Sequence, residues 1–283
     1  MTIDSYKVEV IRKIIIISLI ALSVAFIHLS PISAKDVTIS GSSTVMPLAE
    51  AAAEVFNLEQ HQYVVSVTAG GTGAGILGIA ERKYDIAMAS RALAEDEKQR
   101  FGSNFREFKV GLDGISLAVS EKIYQAGVKS LSREQIQKIY SGNITNWKQV
   151  GGPDEDIYVI SREEGSGTRD DFNEAILGNR NAETPGVDTV ANSGAEVKTA
   201  ISGSSNAIGY LGFNYLGGGG VRAIAFDGIP PNYENIKLDI YELQRQLYFY
   251  TFGDPTPGAK AFIDFVQGPE GQKIAAEEGF IPK

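Results

Sequence analysis

The sequence predicts an α/β fold, and three observations carry the prediction. β-branched runs such as KDVTIS, HQYVVSV and DIYVI alternate with helix-type stretches such as PLAEAAAEVFNLEQ. Turns rich in Gly, Ser and Thr separate the two kinds of segment. No repeat of fixed period interrupts the alternation. A chain of 283 residues has room for one large or two medium lobes.

The N-terminus reads as an export signal. Lys7, Arg12 and Lys13 precede the apolar run IIIISLIALSVAFIHLS, and PISA ends in small residues, which places a cut after Ala34. Ile14–Leu29 is also close to the length that spans a bilayer, so a retained anchor is the other reading. Fold reasoning starts at Lys35. The chain has no cysteine, which excludes disulfides, thiolate metal sites, cysteine nucleophiles and a lipid-modified cysteine at the cut. The exported chain is therefore expected free in the periplasm or secreted. A net charge of −9 argues against nucleic acid as a partner. An anion site in such a chain must be made locally, by strand-end turns, helix starts and a few arginines.

In order, KDVTIS is a strand and GSSTVMP a turn, with Pro47 in the first turn of the helix that follows. HQYVVSVTAG is a strand, GGTGAGI a turn and ILGIAERKY a helix. DIAMAS is a buried strand with Ser90-Arg91 at its C-terminal end. AEDEKQRF is a polar helix, and FREFKVGLDGISLAVS a strand pair or one bent strand. Ser132 opens the helix SREQIQKIYSG. DIYVI leads into SREEGSGTRDDFNE and a helix over DDFNEAIL. VANSGAEVKTAISGSSNAIGYLGFNY holds a helix, a turn and a short strand. The tetraglycine 217–220 is a loop, YELQRQLYFYTF the most aromatic strand, and PGAKAFIDFVQ and GPEGQKIAAEEG the closing helices.

Three turns share one design, a strand, then Gly with Ser or Thr, then a helix: 41–46, 70–75 and 165–168. One such turn is ordinary, since Ser and Thr cap helices. Three of them, with Arg91 and Arg162 at two strand ends, point to an oxyanion site. Backbone N–H groups, hydroxyls and a guanidinium fork all donate. In open α/β sheets ligands sit outside the C-terminal strand ends.

Rival motifs are weak. GAGILG (73–78) fits G-x-G-x-x-G, with Asp96 as the matching acid, but Gly78 reads equally as a small helix residue. G-x-S-x-G does not occur around Ser166, and no G-K-[ST] or H-E-x-x-H occurs. Beyond residue 34 the only histidine is His61, expected on the surface, so no triad is expected. Asp170 and Asp171 read as first-turn helix acids. Trp147, Tyr241, Tyr248, Phe249 and Tyr250 read as packing aromatics. No catalytic residue, metal or cofactor is expected.

At GSSTVMP, GGTGAGI, DIAMASRAL, SREEGSGTRDDF, AIGY and FVQGPEGQKIAAEEGFIP, in this order, the sequence resembles the periplasmic phosphate-binding proteins of Pst-type ABC importers. The resemblance implies the two-lobe periplasmic-binding-protein fold (type II) with inorganic phosphate in the interlobe cleft. Lobe 1 would be 35–117 plus 213–283, and lobe 2 would be 118–212. It implies a monomeric, non-enzymatic solute-binding protein that closes on phosphate and delivers it to membrane ABC permease subunits. The implied ligand residues are Ser43, Thr44, Thr72, Ser90, Arg91, Arg162, Ser166, Gly167 and Thr168. Ser42 or the Val45 amide stand as further candidates, and Glu164 braces Arg162. Some family members carry an Asp, implied to accept the proton of hydrogen phosphate, where this chain has Arg91. Asp113 is the candidate replacement. Binding of sulfate or molybdate, and a secreted phosphatase, are the other functional readings.

Overall fold

The computed structural model describes residues 35–283, so the expected export signal at 1–34 lies outside the described residues. β1 (Lys35–Gly41) turns Val37 and Ile39 inward and pairs in parallel with β3 (Ile86–Ala89), whose four residues are all buried. β2 (Tyr63–Ala69) lies on the outer side of β1. Between them run α1 (Met46–Glu59), with Pro47 in its first turn, and α2 (Thr72–Ala80). α1 buries Leu48, Ala49, Ala52, Ala53 and Phe56, a stripe at helical spacing.

Two glycines set how closely these elements meet. A Cβ on Gly75 of α2 would lie 2.8 Å from the Gly41 Cα and the Ser40 carbonyl oxygen. Gly41, at φ +136°, would place one 2.3 Å from the Met88 carbonyl oxygen. Helix and strands thus pack backbone on backbone, which brings the turns after β1, β2 and β3 together.

β4 (Phe105–Val119) is one continuous strand of 15 residues, the single-strand alternative of the strand pair or bent strand expected there. It changes partners along its length. Phe105–Gly114 pair with β10 (Gln244–Phe252), and Ile115–Val119 pair with β8 (Ala207–Gly212), antiparallel in both cases. Leu117–Val119 also pair with β9 (Arg222–Phe226) on the other side. β5 (Ser130–Leu131) joins β9 in parallel. β6 (Tyr158–Arg162) is parallel to β8 and to β7 (Thr189–Ala191). The strand order is β2-β1-β3-β10-β4-β8-β6-β7.

Two large hydrophobic cores flank this change of partners. One gathers Val37, Ile39, Phe56, Met88, Val110, Leu247, Phe249 and Phe262. It is closed by α9 (Pro257–Gln267) and α10 (Pro269–Glu277), the two helices expected at the C-terminus. The other gathers Ile115, Leu117, Tyr140, Trp147, Phe172, Ile208, Tyr210, Ile224 and Tyr241. α5 (Arg133–Tyr140) serves this second core. It is capped as expected, with Ser132 Oγ accepting from the Gln135 N–H and Gln135 Oε1 accepting from the Ser132 N–H. Trp147 is fully buried and donates its indole N–H to the Asn206 carbonyl at 2.8 Å, a packing role. His61 is exposed. Gly78 is a small helix residue, since a Cβ there would lie 2.5 Å from the Tyr84 ring.

The helix expected over DDFNEAIL starts earlier. α6 (Gly167–Phe172) opens at the Gly-Ser-Gly-Thr turn and passes into a wide π-type turn over Asn173–Leu177. Phe172 then stacks on Tyr210, centroids 3.9 Å apart, with Tyr140 at 4.8 Å from Phe172.

Candidate functional site

The end of β6 is fixed by the aromatic cluster just described. The Tyr210 hydroxyl accepts from the Arg162 N–H at 3.3 Å and lies 2.8 Å from Ser161 Oγ. Burial pushes the Tyr210 phenol up to about 12, so it keeps its proton. Arg162, the last residue of β6, is therefore delivered at a defined place. Its side chain is 2% exposed.

Each nitrogen of the Arg162 guanidinium can be accounted for. Nε donates to Glu163 Oε2 (2.8 Å) and to the Ala191 carbonyl (3.3 Å). Nη2 donates to Glu163 Oε1 (2.8 Å) and to Ser43 Oγ (3.1 Å). Nη1 is buried and has no hydrogen-bond partner. The brace is thus Glu163 and not the expected Glu164, which is exposed. Adjacent carboxylates in a turn differ in direction, and only the side chain of Glu163 folds back on its neighbour.

The three strand-end turns meet here. Thr44 Oγ1 and Thr168 Oγ1 are 3.0 Å apart. The Gly73 N–H donates to the Gly165 carbonyl at 3.1 Å. Thr72 Oγ1 lies 3.5 Å from Ser90 Oγ and accepts from the Ser90 N–H at 3.3 Å. Gly167 closes on that pair, since a Cβ there would be 2.5 Å from Thr72 Oγ1 and 2.6 Å from Ser90 Oγ. Ser166 caps α6, its Oγ accepting from the Arg169 N–H, and the first amides of α6 have no intrahelical acceptor. Ser43, Thr44, Thr72, Ser90, Arg162, Ser166, Gly167 and Thr168 are all buried around one point.

Two further candidates turn inward on their own loop. Ser42 Oγ accepts from the Thr44 N–H, and the Val45 N–H is bonded to the Ser42 carbonyl. The loop is pinned from outside by the Tyr215 hydroxyl, which donates to the Ser43 carbonyl at 2.7 Å.

Arg91 differs from Arg162 in how its donors are used. Nη1 and Nη2 grip Glu97 of α3 (Glu95–Phe101) at 2.8 Å each, Nη1 also reaches the Ala92 carbonyl, and Nε donates to Asp170 at 2.7 Å. Burial disfavours its charge, but Glu97 and Asp170 outweigh that and raise its pKa above the ordinary value. Four of about five N–H groups are thereby committed to protein acceptors. Asp170 is a partner of Arg91 as well as a first-turn acid. A cavity of about 530 Å³ beside the pair is lined by Arg169, Arg180, Asp96 and Glu164 among others, charges of both signs.

Asp113 is also committed. It is fully buried, and its Oδ2 accepts from Arg245 Nε (3.0 Å) and Nη2 (2.7 Å), while Oδ1 accepts from the Phe213 N–H (2.9 Å). Arg245 is the residue that sequence reasoning missed. Its Nη1 donates to Thr168 Oγ1 at 3.0 Å. The signal was present: Arg245 shares the inward face of β10 with Leu247 and Phe249, where a charge is out of place.

Asp171 lies in the field of Arg245, Arg91 and Arg180, yet burial pushes its carboxyl up to about 6. The unfolded chain releases this proton near the ordinary value of 3.8, while the folded chain still holds it. Stability therefore falls as pH rises between those two values and is level above them. Asp171→Asn removes the cost. Its urea midpoint is expected above that of wild type at about pH 8, with the two meeting below about pH 4.

Residues 30–270 match the model of the PBP superfamily domain. The phosphate-binding protein PstS of Bacillus subtilis is 35% identical over 87% of this chain and 80% of its own. A Clostridium perfringens protein solved with bound phosphate superposes with a TM-score of 0.81 at 37% identity, over 88% of this chain and all of that one. An ABC-type phosphate transport receptor from Vibrio cholerae gives 0.73 at 33% identity, over 87% of this chain and all of that one. The expected type II two-lobe fold is the fold these neighbours share with it. The turns that meet at Arg162, the α/β architecture and these relatives agree, and the chain belongs to the PBP superfamily as a PstS-like member.

Proposed function

We propose that this chain is an extracytoplasmic solute-binding protein that captures inorganic phosphate between two lobes and delivers it to an ABC permease. The observation that carries the reading is Arg162 Nη1. Two N–H groups on a buried, charged nitrogen lie without an acceptor, on the guanidinium whose Nη2 holds Ser43 Oγ. Leaving such donors unpaired costs about 1–3 kcal/mol or more. A tetrahedral oxyanion supplies acceptors for all of them at once. The relatives' names and the phosphate bound in the Clostridium perfringens neighbour support the choice of ion.

The lobes are built on the two cores, 35–117 with 213–283 and 118–212, the segment 222–243 reaching across onto the second core. β4 and β10 cross between them and serve as the hinge. In the open form phosphate meets Ser43, Thr44, Thr72 and Ser90. Closure then brings Arg162 and Ser166–Thr168 onto it. Each charge-assisted hydrogen bond in the dry cleft contributes ~1.5–3 kcal/mol, and micromolar affinity needs about 8 kcal/mol net. The ion is held and not altered. The protein acts as a monomer outside the cytoplasm, and the closed form is what the permease recognises. Among the described residues no helix is long and apolar enough to cross a membrane.

One observation favours a second reading, a wider oxyanion range. Asp113, Glu163, Asp170 and Glu97, the carboxylates paired at this site, each hold an arginine. A carboxylate that already holds an arginine is a weaker acceptor for the proton of hydrogen phosphate, so phosphate is expected to be favoured less over fully ionised oxyanions. Titration calorimetry of the purified protein with phosphate, arsenate and sulfate is the test. Micromolar phosphate binding is expected. Sulfate binding of equal strength favours the general oxyanion reading, and no heat with any of the three refutes the site. Release of a chromophore from a phosphoester would turn the reading toward a phosphatase.

A further inference from the structure

We infer that Arg245 is the positioning residue of this site, fixing the Thr44 and Thr168 hydroxyls as a pair that turns a proton toward a bound oxyanion. The inference rests on the phosphate-capture reading. Arg245 is 6% exposed and reaches both hydroxyls, Thr168 Oγ1 from Nη1 at 3.0 Å and Thr44 Oγ1 from Nη2 at 3.5 Å. A guanidinium only donates, so each threonine oxygen is used there as an acceptor. One hydroxyl proton bridges the pair across 3.0 Å, which leaves the other for an anion. Without Arg245 the rotors are free, and their orientation toward the ion must be fixed on binding instead of beforehand.

Charge alone does not explain the placement. Asp113 is fully buried and bonds both Nε and Nη2, so the pair is close to neutral as seen from the site. Its Oδ1 is tied to the Phe213 N–H, which fixes the carboxylate and so the fork of the guanidinium. Arg245 and Asp113 are also register partners on β10 and β4, the strands bordering both cores. Thr44 follows β1 at the first core, and Thr168 belongs to α6, whose Phe172 packs in the second. One side chain on the crossing strands thus bonds a hydroxyl from each half.

A double-mutant cycle tests this, run in an Asp113→Asn background so that losing Arg245 leaves no unpaired carboxylate, with calorimetric phosphate affinities for that parent, Arg245→Met, the pair Thr44→Val with Thr168→Val, and all three changes together. Arg245→Met is expected to weaken binding by about 10–100-fold, the scale of one or two lost hydrogen bonds. Added to the valine pair it is expected to change affinity by less than about threefold, because the hydroxyls it orients are gone. Factors that multiply overturn the inference and make Arg245 a direct ligand. Arg245→Met binding as that parent overturns it in favour of a packing role. If Arg245→Met does not fold, Arg245→Lys replaces it under the same criterion, with a smaller loss. Wild type that binds no phosphate sinks the functional reading itself, whereas wild-type binding with multiplicative factors sinks this inference only.

Discussion

Arg162→Met is expected to weaken phosphate binding by at least about 100-fold, a loss of two or more charge-assisted hydrogen bonds at ~1.5–3 kcal/mol each. The side chain supplies both N–H groups of Nη1 and, through Nη2, holds Ser43 Oγ at 3.1 Å. The loss is compounded by what stays behind. Glu163 bonds two nitrogens of Arg162 at 2.8 Å and would be left as an unbalanced carboxylate beside an anion. Arg162→Lys keeps the charge but not the planar fork, so it is expected to fall between wild type and Arg162→Met. Titration calorimetry at matched pH reads all three. Affinities within threefold of one another would remove Arg162 from the site.

Gly167→Val should be nearly as damaging, for a different reason. A Cβ at 167 would sit 2.5 Å from Thr72 Oγ1 and 2.6 Å from Ser90 Oγ, and valine adds two methyls to that overlap. Overpacking of this kind costs about 1–3 kcal/mol and more for a branched side chain. The clash involves the contact between the turn at 165–168 and the turns after β2 and β3. Opening relieves it at no cost to either core. Binding is therefore expected to drop by ~100-fold while the thermal midpoint without phosphate stays near wild type. Small-angle scattering should show wild type contracting on phosphate addition and the variant remaining extended. A contracted, tightly binding variant would mean that these turns do not close on the ion.

Much of the site was legible because its signals are local. A turn of Gly with Ser or Thr between a strand and a helix can be read within a handful of residues, and 41–46, 70–75 and 165–168 each carry one. What escaped depended on distance along the chain. Arg245 meets Thr44 across 201 residues and Asp113 across 132, and only the pairing of β10 with β4 brings them together. Arg91 stands at a strand end like Arg162, but Asp170, 79 residues on, and Glu97 claim its donors. GLDG left open whether one strand or two run through it, because backbone freedom is local, whereas the change of partners along β4 is a property of the sheet. Glu163 and Glu164 could not be told apart without the direction of their side chains.

The pairing of each inward arginine with its own carboxylate has a consequence for how the ion arrives. Arg162 with Glu163, and Arg245 with Asp113, present almost no long-range attraction, in a chain whose overall charge is −9. Recognition then begins only within bonding distance, after the ion has diffused in unaided. A trap built this way gives up speed of encounter and gains indifference to the medium, because dissolved electrolyte has little field to dampen.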